Sequence, residues 1–182
     1  MKKIHNVARP RGRAILPLAA AITALLSIAA CSSSDKQYTV PDALCGIKVP
    51  QKVLQEVLPN GEELTERRES SGSTKRCRIH VDGESVLSAS TEHWEGETTA
   101  SDVAQYALGV DPQDQRSDEG RYIYSSTGAV GKVDCAQAEE AHEPLWTSVR
   151  VTHDGAKNAD MLKLVKAYTE AVGSSPVCTE FH

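Results

Sequence analysis

CRIHVDGESVLSAS, residues 77–90, contains two alternating apolar and polar segments separated by Asp82-Gly83. Before this dipeptide every second residue is apolar: Cys77, Ile79 and Val81. Such alternation is typical of a strand with one face buried, and Asp-Gly favours the type I′ turn that joins two antiparallel strands. Residues 85–94 then provide the returning strand. The stretch therefore predicts a β-hairpin and, with it, an antiparallel sheet.

Three segments around the hairpin have the spacing of amphipathic helices. Their apolar faces are formed by Val53, Leu54, Val57 and Leu58 in the first, by Val103, Ala104, Ala107 and Leu108 in the second, and by Met161, Leu162, Leu164, Val165, Tyr168 and Val172 in the third. Pro50 suits the first turn of the first helix. Thr99 and Asp102 have capping-box spacing at the start of the second. Asn158 is expected to cap the third.

The remaining segments complete the predicted fold. The polar residues 62–75 and the acidic residues 110–120 predict exposed loops, and residues 121–126 and 129–135 predict a strand pair. A further strand is expected, with four side chains that face the core: Leu145, Thr147, Val149 and Val151. A helix-strand-strand unit thus occurs twice, followed by a C-terminal helix. This order predicts a single α+β domain over residues 42–182, with an antiparallel sheet and helices packed on one side.

The N-terminal segment has the features of a secretory signal peptide. Residues 1–13 carry five Lys or Arg and no acidic residue, and residues 14–30 are almost entirely apolar. The apolar run ends in residues 28–31, Ile-Ala-Ala-Cys, which resemble the bacterial lipobox. This resemblance implies that residues 1–30 are removed and that the Cys31 thiol carries a lipid. The alternatives are a retained transmembrane anchor, or an ordinary cleavage site beside a free cysteine.

Charge and length limit the function of the mature chain. Removal of residues 1–30 leaves 152 residues with 15 Lys and Arg against 25 Asp and Glu. A surface this acidic does not favour nucleic acid as a partner, and 152 residues are typical of one domain. Residues 31–41, which begin with the lipidated cysteine, are rich in serine and charge and predict a flexible tether.

Four cysteines remain after Cys31 is set aside. Cys45, Cys77, Cys135 and Cys178 form an even set in a chain expected to be exported, which predicts two disulfides. Three pairings are possible. Pairing Cys45 with Cys77 and Cys135 with Cys178 is favoured, because each bridge then ties a segment beside a helix to a strand nearby in sequence. A zinc site is the alternative, but the chain contains no C-x-x-C pair.

Several of these features occur together in one known group of proteins. The lipobox, the polar tether, a cysteine just before the first helix (Cys45) and a second cysteine in the first strand (Cys77) make the chain resemble a large family of actinobacterial cell-envelope lipoproteins. The resemblance implies an envelope location and a disulfide-stapled α+β fold. It implies no catalytic residues.

Three segments have part of the composition of a ligand site. Residues 91–97, TEHWEGE, group an imidazole and carboxylates around Trp94, but adjacent strand residues face opposite sides, so a solvated strand end is favoured over a metal site. Trp94 is expected to cap the core. Residues 111–120 lack the spacing of a calcium loop, and residues 126–131 lack the lysine of a phosphate loop. No metal and no cofactor is predicted.

The pattern favours a binding function over catalysis. No G-x-S-x-G motif is present, and the histidines at 80, 93, 142, 153 and 182 are scattered among polar residues. The leading hypothesis is a membrane-anchored lipoprotein on the extracytoplasmic side, without catalytic activity, whose domain binds an envelope protein or a small apolar ligand. The alternative is a small envelope hydrolase with a Ser/His/Asp site assembled in space.

Overall fold

Seven strands form an antiparallel sheet at the centre of the protein. A computed structural model describes residues 35–135 and 143–179. A two-stranded hairpin, β1 (Ala43–Leu44) and β2 (Ile47–Lys48), precedes the sheet. The strands of the sheet are β3 (Leu64–Ser71), β4 (Thr74–Val81), β5 (Glu84–His93), β6 (Gln115–Ser117), β7 (Tyr122–Tyr124), β8 (Gly128–Lys132) and β9 (Leu145–Val151). Their spatial order is β3-β4-β5-β9-β8-β7-β6.

The hairpin predicted from residues 77–90 is confirmed as β4 and β5. Asp82 and Gly83 both have positive φ, 52° and 85°, as a type I′ turn requires. Cys77, Ile79 and Val81 are buried, while the residues between them are exposed or half-buried. Alternation along this hairpin therefore fixes which face of the sheet meets the core.

The two edge strands lie in segments that were expected to be loops, and that expectation is wrong. Residues 62–75 contain β3, which pairs with β4 along its whole length. Residues 110–120 contain β6 and a 3-10 turn at Asp118–Gly120. Most side chains on both faces of β3 are exposed, so this edge strand has no apolar alternation, and its charged residues prevent pairing with other chains. The repeating unit is consequently a helix followed by three or four strands, not by two.

In the described part of the chain, three helices accompany the sheet: α1 (Gln51–Val57), α2 (Ala100–Ala104) and α3 (Asn158–Gly173). Together with the antiparallel sheet they confirm the predicted α+β class. Lys157, not Asn158, occupies the N-cap position of α3, because Asn158 already has helical geometry. The capping box at Thr99 and Asp102 is confirmed, with the Thr99 hydroxyl and the Asp102 carboxylate each accepting a backbone N–H of the other residue.

The main core lies between one face of the sheet and the pair α1 and α3. Met161, Leu164, Val165 and Val172 are fully buried on α3. The inward positions expected on β9 are confirmed, and all four are at most 3 % exposed: Leu145, Thr147, Val149 and Val151. Because Thr147 is polar and buried, its hydroxyl needs partners. It donates to the carbonyl of Gly131 or bonds to the Thr169 hydroxyl 2.6 Å away.

The helix α2 packs on the opposite face of the sheet. The expectation that the helices pack on one side therefore holds only for α1 and α3. A second apolar cluster joins α2 to β7, β8 and β9: Ala100, Val103, Ala104, Ile123, Val130 and Trp146. Ala107 is half-buried against it, whereas Leu108 is 66 % exposed. Leu108 had been expected on the helix face, but α2 ends at Ala104, and the chain turns at Gly109 with a φ of +86°.

Both favoured disulfides are present, so the predicted pairing is confirmed. Cys45–Cys77 links the β1–β2 turn to the centre of β4. Cys135–Cys178 links the segment after β8 to a 3-10 turn, Pro176–Thr179, that follows α3. The first bridge thus joins a turn to the sheet, and the second joins two segments that follow β8 and α3.

The described chain before β1 contacts the domain. Lys36 forms an isolated parallel β-bridge with Gly61. The Tyr38 hydroxyl donates a hydrogen bond to the carbonyl of Pro59, and the side-chain amide of Gln51 donates one to the carbonyl of Val40 at 2.6 Å. The second half of the expected tether is therefore attached to the fold. Cys31 and residues 1–30 lie outside the described residues. Within residues 35–135 and 143–179, no helix has the length and apolarity needed to cross a bilayer.

Candidate ligand-binding groove

One side of the sheet is covered along only part of its width. Among the described elements, α1 and α3 cover one face, and α2 covers the other face over β7, β8 and the Trp146 end of β9. We call the remaining surface of β3, β4, β5 and β9, on the same side as α2, the open face. Alternation places polar residues there, since the residues between them are buried under α1 and α3.

A row of arginines crosses the open face. Strand register places Arg67 opposite Arg78, Arg78 opposite Ser88, and Ser88 opposite Arg150. The next residue across the sheet is Gly128, which has no side chain. Directly opposed like charges repel, so this row concentrates positive potential on one part of the sheet.

A second row lies one pleat away and is held by internal bonds. The Ser90 hydroxyl lies 2.7 Å from that of Ser148 and 3.1 Å from a carboxylate oxygen of Glu92. The Arg76 guanidinium lies 3.4 Å from a carboxylate oxygen of Glu92, which is within ion-pair distance but long for a hydrogen bond. Glu69 accepts from Arg78 of the first row at 2.6 Å. Glu69 is 58 % exposed, so water screens this pair strongly.

Three side chains of the arginine row have no such bonds with the described residues, and one of them, Arg67, is exposed. Ser88 and Arg150 are both half-buried, and neither side chain makes a hydrogen bond or an ion pair with any described residue. The aliphatic part of Arg150 packs against Gly109, where an added Cβ would lie 3.2 Å from the arginine Cγ. Backbone at Gly109 therefore supports the stem of Arg150 and leaves its guanidinium for another partner.

An apolar lip borders the open face on the α2 side. Tyr106 and Leu108 are 75 % and 66 % exposed, the large apolar side chains with the greatest exposure among the described residues. The Tyr106 ring lies 5.7 Å from that of Trp94, inclined at 52°. The expectation that Trp94 caps the core describes half of its role, because Trp94 packs on the α2 cluster and also faces this surface.

Local structure holds this lip in position. The carbonyl of Gly109 accepts hydrogen bonds from Ser125 at 2.9 Å and Thr127 at 2.7 Å, which tie the loop after α2 to the β7–β8 turn. Hydrogen bonds from the side chain and backbone of Thr99 hold the pKa of Asp102 below its usual value. The cap of α2 is therefore intact at neutral pH and weakens when the carboxyl protonates in acid.

The arginine row and the lip enclose a groove of about 170 Å³. The chain contains two tryptophans, and both line this groove. Its lining includes Arg78, Ser88, Trp94, Tyr106, Trp146 and Arg150. We call this feature the groove.

The other residues predicted for a site are separated in the structure. The four cysteines form the two disulfides, and none of them lines the groove. Glu92 and His93 are adjacent on β5 and so face opposite sides of the sheet, and Glu92 bonds to Arg76 and Ser90. Among the described residues, no three His, Cys, Asp or Glu side chains are grouped as metal ligands require.

The described histidines do not form a site with the serines of the groove. His80 contacts the carbonyl of Gly83 at 3.3 Å, and His153 contacts that of Val57 at 2.9 Å. Of the described residues that line the groove, four are serines on the strands and none is a histidine. The described part of the groove lining therefore includes no histidine that could act as the general base of a Ser/His/Asp site.

The chain has no detectable relatives in the three comparisons made: no protein-family model, no curated protein and no solved structure matches it.

Proposed function

We propose that this protein is a lipid-anchored envelope protein whose domain binds a ligand in the groove. The observation that carries the binding function is a half-buried Arg150 without a bonded partner among the described residues, beside two aromatic side chains. Arginine and exposed aromatic residues are enriched where proteins bind other molecules. The lipobox resemblance of residues 28–31, and that of the chain to actinobacterial envelope lipoproteins, support the location.

The chain length between the anchor and the fold supports a position close to the membrane. Lys36, the first residue bridged to the domain, follows Cys31 by five residues. Five residues span at most about 18 Å when fully extended. A lipid on Cys31 would therefore hold the domain, with its groove, within a short distance of the bilayer surface.

Replacing Cys31 by alanine is expected to release the protein from the membrane. The thiol is the atom that would carry the lipid, and the described residues contain no helix able to span a bilayer. The protein should move from the membrane pellet to the soluble fraction and lose labelling by a fatty-acid analogue. Ser33→Ala, two residues away, is the control and should remain labelled and membrane-bound. Undiminished labelling of the Cys31→Ala protein would disprove the anchor.

The binding function predicts that small molecules collect in the groove. We expect a mixed library of charged and neutral fragments, added to the exported Cys31→Ala protein, to shift the indole N–H signals of Trp94 and Trp146 in NMR spectra. Both indoles line the groove, so they report its occupancy independently of the ligand's charge. Fragments that shift only signals on the α1 and α3 side would contradict the proposed function.

A further inference from the structure

The open face is positively charged, although the protein is acidic. The strands present four arginines and two glutamates on this face, a formal excess of two positive charges. The whole chain has a formal net charge of −5. Because the protein as a whole is anionic, a cationic surface on it favours anionic ligands.

The arginine row contains a place for one anionic group. Ser88 lies on β5 between Arg78 on β4 and Arg150 on β9. Neighbouring strands are about 4.8 Å apart, so the two arginine backbones lie roughly 10 Å apart with the serine midway. A carboxylate or phosphate above Ser88 can accept from the serine hydroxyl and from both guanidinium groups, which suit planar oxyanions.

Neither arginine has to give up a strong interaction to bind this group. Arg150 makes no hydrogen bond or ion pair with a described residue. Arg78 contacts Glu69 through Nη1 alone, and a guanidinium has five N–H donors. An anion would therefore complete the hydrogen bonding of half-buried groups, not compete for them.

The apolar lip indicates the rest of the ligand. The groove extends along β5 from Ser88 to Glu92, four residues or about 13 Å, and the rings of Trp94 and Tyr106 border its other side. Tyr106 is 75 % exposed although it touches another aromatic ring. A ring or other compact apolar group would cover these side chains while the anionic group occupies the arginine row.

The volume of the groove limits how much of a ligand it can enclose. About 170 Å³ is close to the volume of six water molecules in the liquid, at about 30 Å³ each. This space fits an anionic group joined to a single ring. It is small compared with the pockets of about 300 to 1,000 Å³ that enclose drug-sized ligands.

From these observations we infer that the groove binds a small acid, a carboxylate or phosphate carried on one apolar ring. The anionic group lies over Ser88 between Arg78 and Arg150, and the ring lies against Trp94 and Tyr106. This inference rests on the proposed function, since it names the ligand class of the same groove.

The test compares three probes that separate the two halves of the ligand. Phenyl phosphate carries the anion and the ring, inorganic phosphate the anion alone, and benzyl alcohol the ring alone. Each is titrated into the exported Cys31→Ala protein while the indole signals of Trp94 and Trp146 are followed. We expect phenyl phosphate to bind at least tenfold more tightly than either other probe, and its affinity to fall as salt screens the arginines.

Two substitutions locate the anion and one serves as control. Arg150→Gln keeps most of the side-chain stem and removes the charge, and it should weaken phenyl phosphate binding at least tenfold. Ser88→Ala removes a hydroxyl without a described partner and should weaken binding about threefold to tenfold. Arg68→Gln is the matched control, because Arg68 lies on the other side of β3, paired with Glu66, and should change the affinity less than twofold.

The outcomes separate this inference from the proposed function. Equal affinity for benzyl alcohol and phenyl phosphate would overturn the inference and leave a groove that binds apolar ligands. Unchanged binding in the Arg150→Gln protein would overturn the assigned anion position. A response to phosphatidylglycerol vesicles, but not to phosphatidylcholine vesicles or phenyl phosphate, would replace the small acid with a lipid headgroup. If neither these probes nor the fragment library reach the indoles, both proposals are wrong.

Discussion

Replacing Cys45 and Cys77 together by serine is expected to lower the free energy of unfolding by about 2 to 5 kcal/mol. The bridge joins residues 32 positions apart, so the unfolded chain gains much conformational freedom when it is lost. Cys77 is also 1 % exposed, and a serine there places a hydroxyl in the core beside Ile79 and Val81. Urea unfolding monitored by circular dichroism measures the change.

The pair Cys135 and Cys178, replaced together by serine, should give a loss in the same range, because this bridge joins residues 43 positions apart. Both of these cysteines are only half-buried, so the loss is mostly one of chain constraint. The local consequence differs: amide exchange should accelerate at the end of α3, whereas the first variant should loosen β1 and β2. Each double variant keeps the other bridge and serves as its control. Unfolding midpoints equal to that of the wild type would contradict both predictions.

The local sequence pattern was sufficient to predict the strands and helices that bury one face and expose the other. The β4–β5 hairpin is specified by alternation and by the Asp82-Gly83 turn, both of which act within 14 residues. The apolar stripe of the third helix has helical spacing and extends over more residues than a typical strand contains, so the segment could not be interpreted as a strand. The disulfide pairing followed from the same logic, since each bridge connects elements that are close in sequence.

The strand β3 shows where such patterns fail. Its sequence LTERRESS contains one apolar residue, Leu64, and most of its side chains are exposed. The strand is held by backbone hydrogen bonds to β4 and by cross-strand ion pairs such as that of Glu69 with Arg78. Backbone hydrogen bonds between strands do not require apolar side chains. The hydrophobic pattern therefore cannot distinguish a polar edge strand from a loop.

The groove could be predicted only in part. Arg76 and Arg78 stand between the buried residues of β4, so their position on the outer face followed from alternation. Their proximity to Arg150 did not, because it depends on β9 pairing with β5 across more than 50 residues of sequence. The side of the sheet on which α2 lies also depends on that order. An apolar helical stripe shows that a face is buried, not against which layer.

Replacing Trp146 by alanine is expected to lower the free energy of unfolding by about 3 to 5 kcal/mol. The side chain is 2 % exposed and fills the space between α2 and the sheet, against Val130 and Ile123. Its loss leaves a cavity in a cluster of only six buried residues, which cannot collapse without moving α2. Because α2 leads into Tyr106 and Leu108, the variant should also weaken probe binding in the groove.

Two further variants, Trp94→Ala and Trp146→Phe, test whether the stability lost in Trp146→Ala comes from the packing of the Trp146 ring. Trp94 is half-buried on the same cluster, so its replacement should cost less than half as much stability. The Trp146 indole nitrogen is buried without a hydrogen-bond partner among the described residues, and phenylalanine removes that nitrogen while keeping a ring. Trp146→Phe should therefore be much closer to the wild type than Trp146→Ala in urea unfolding followed by circular dichroism. A Trp94→Ala protein less stable than Trp146→Ala would show that the α2 cluster is not what holds this helix on the sheet.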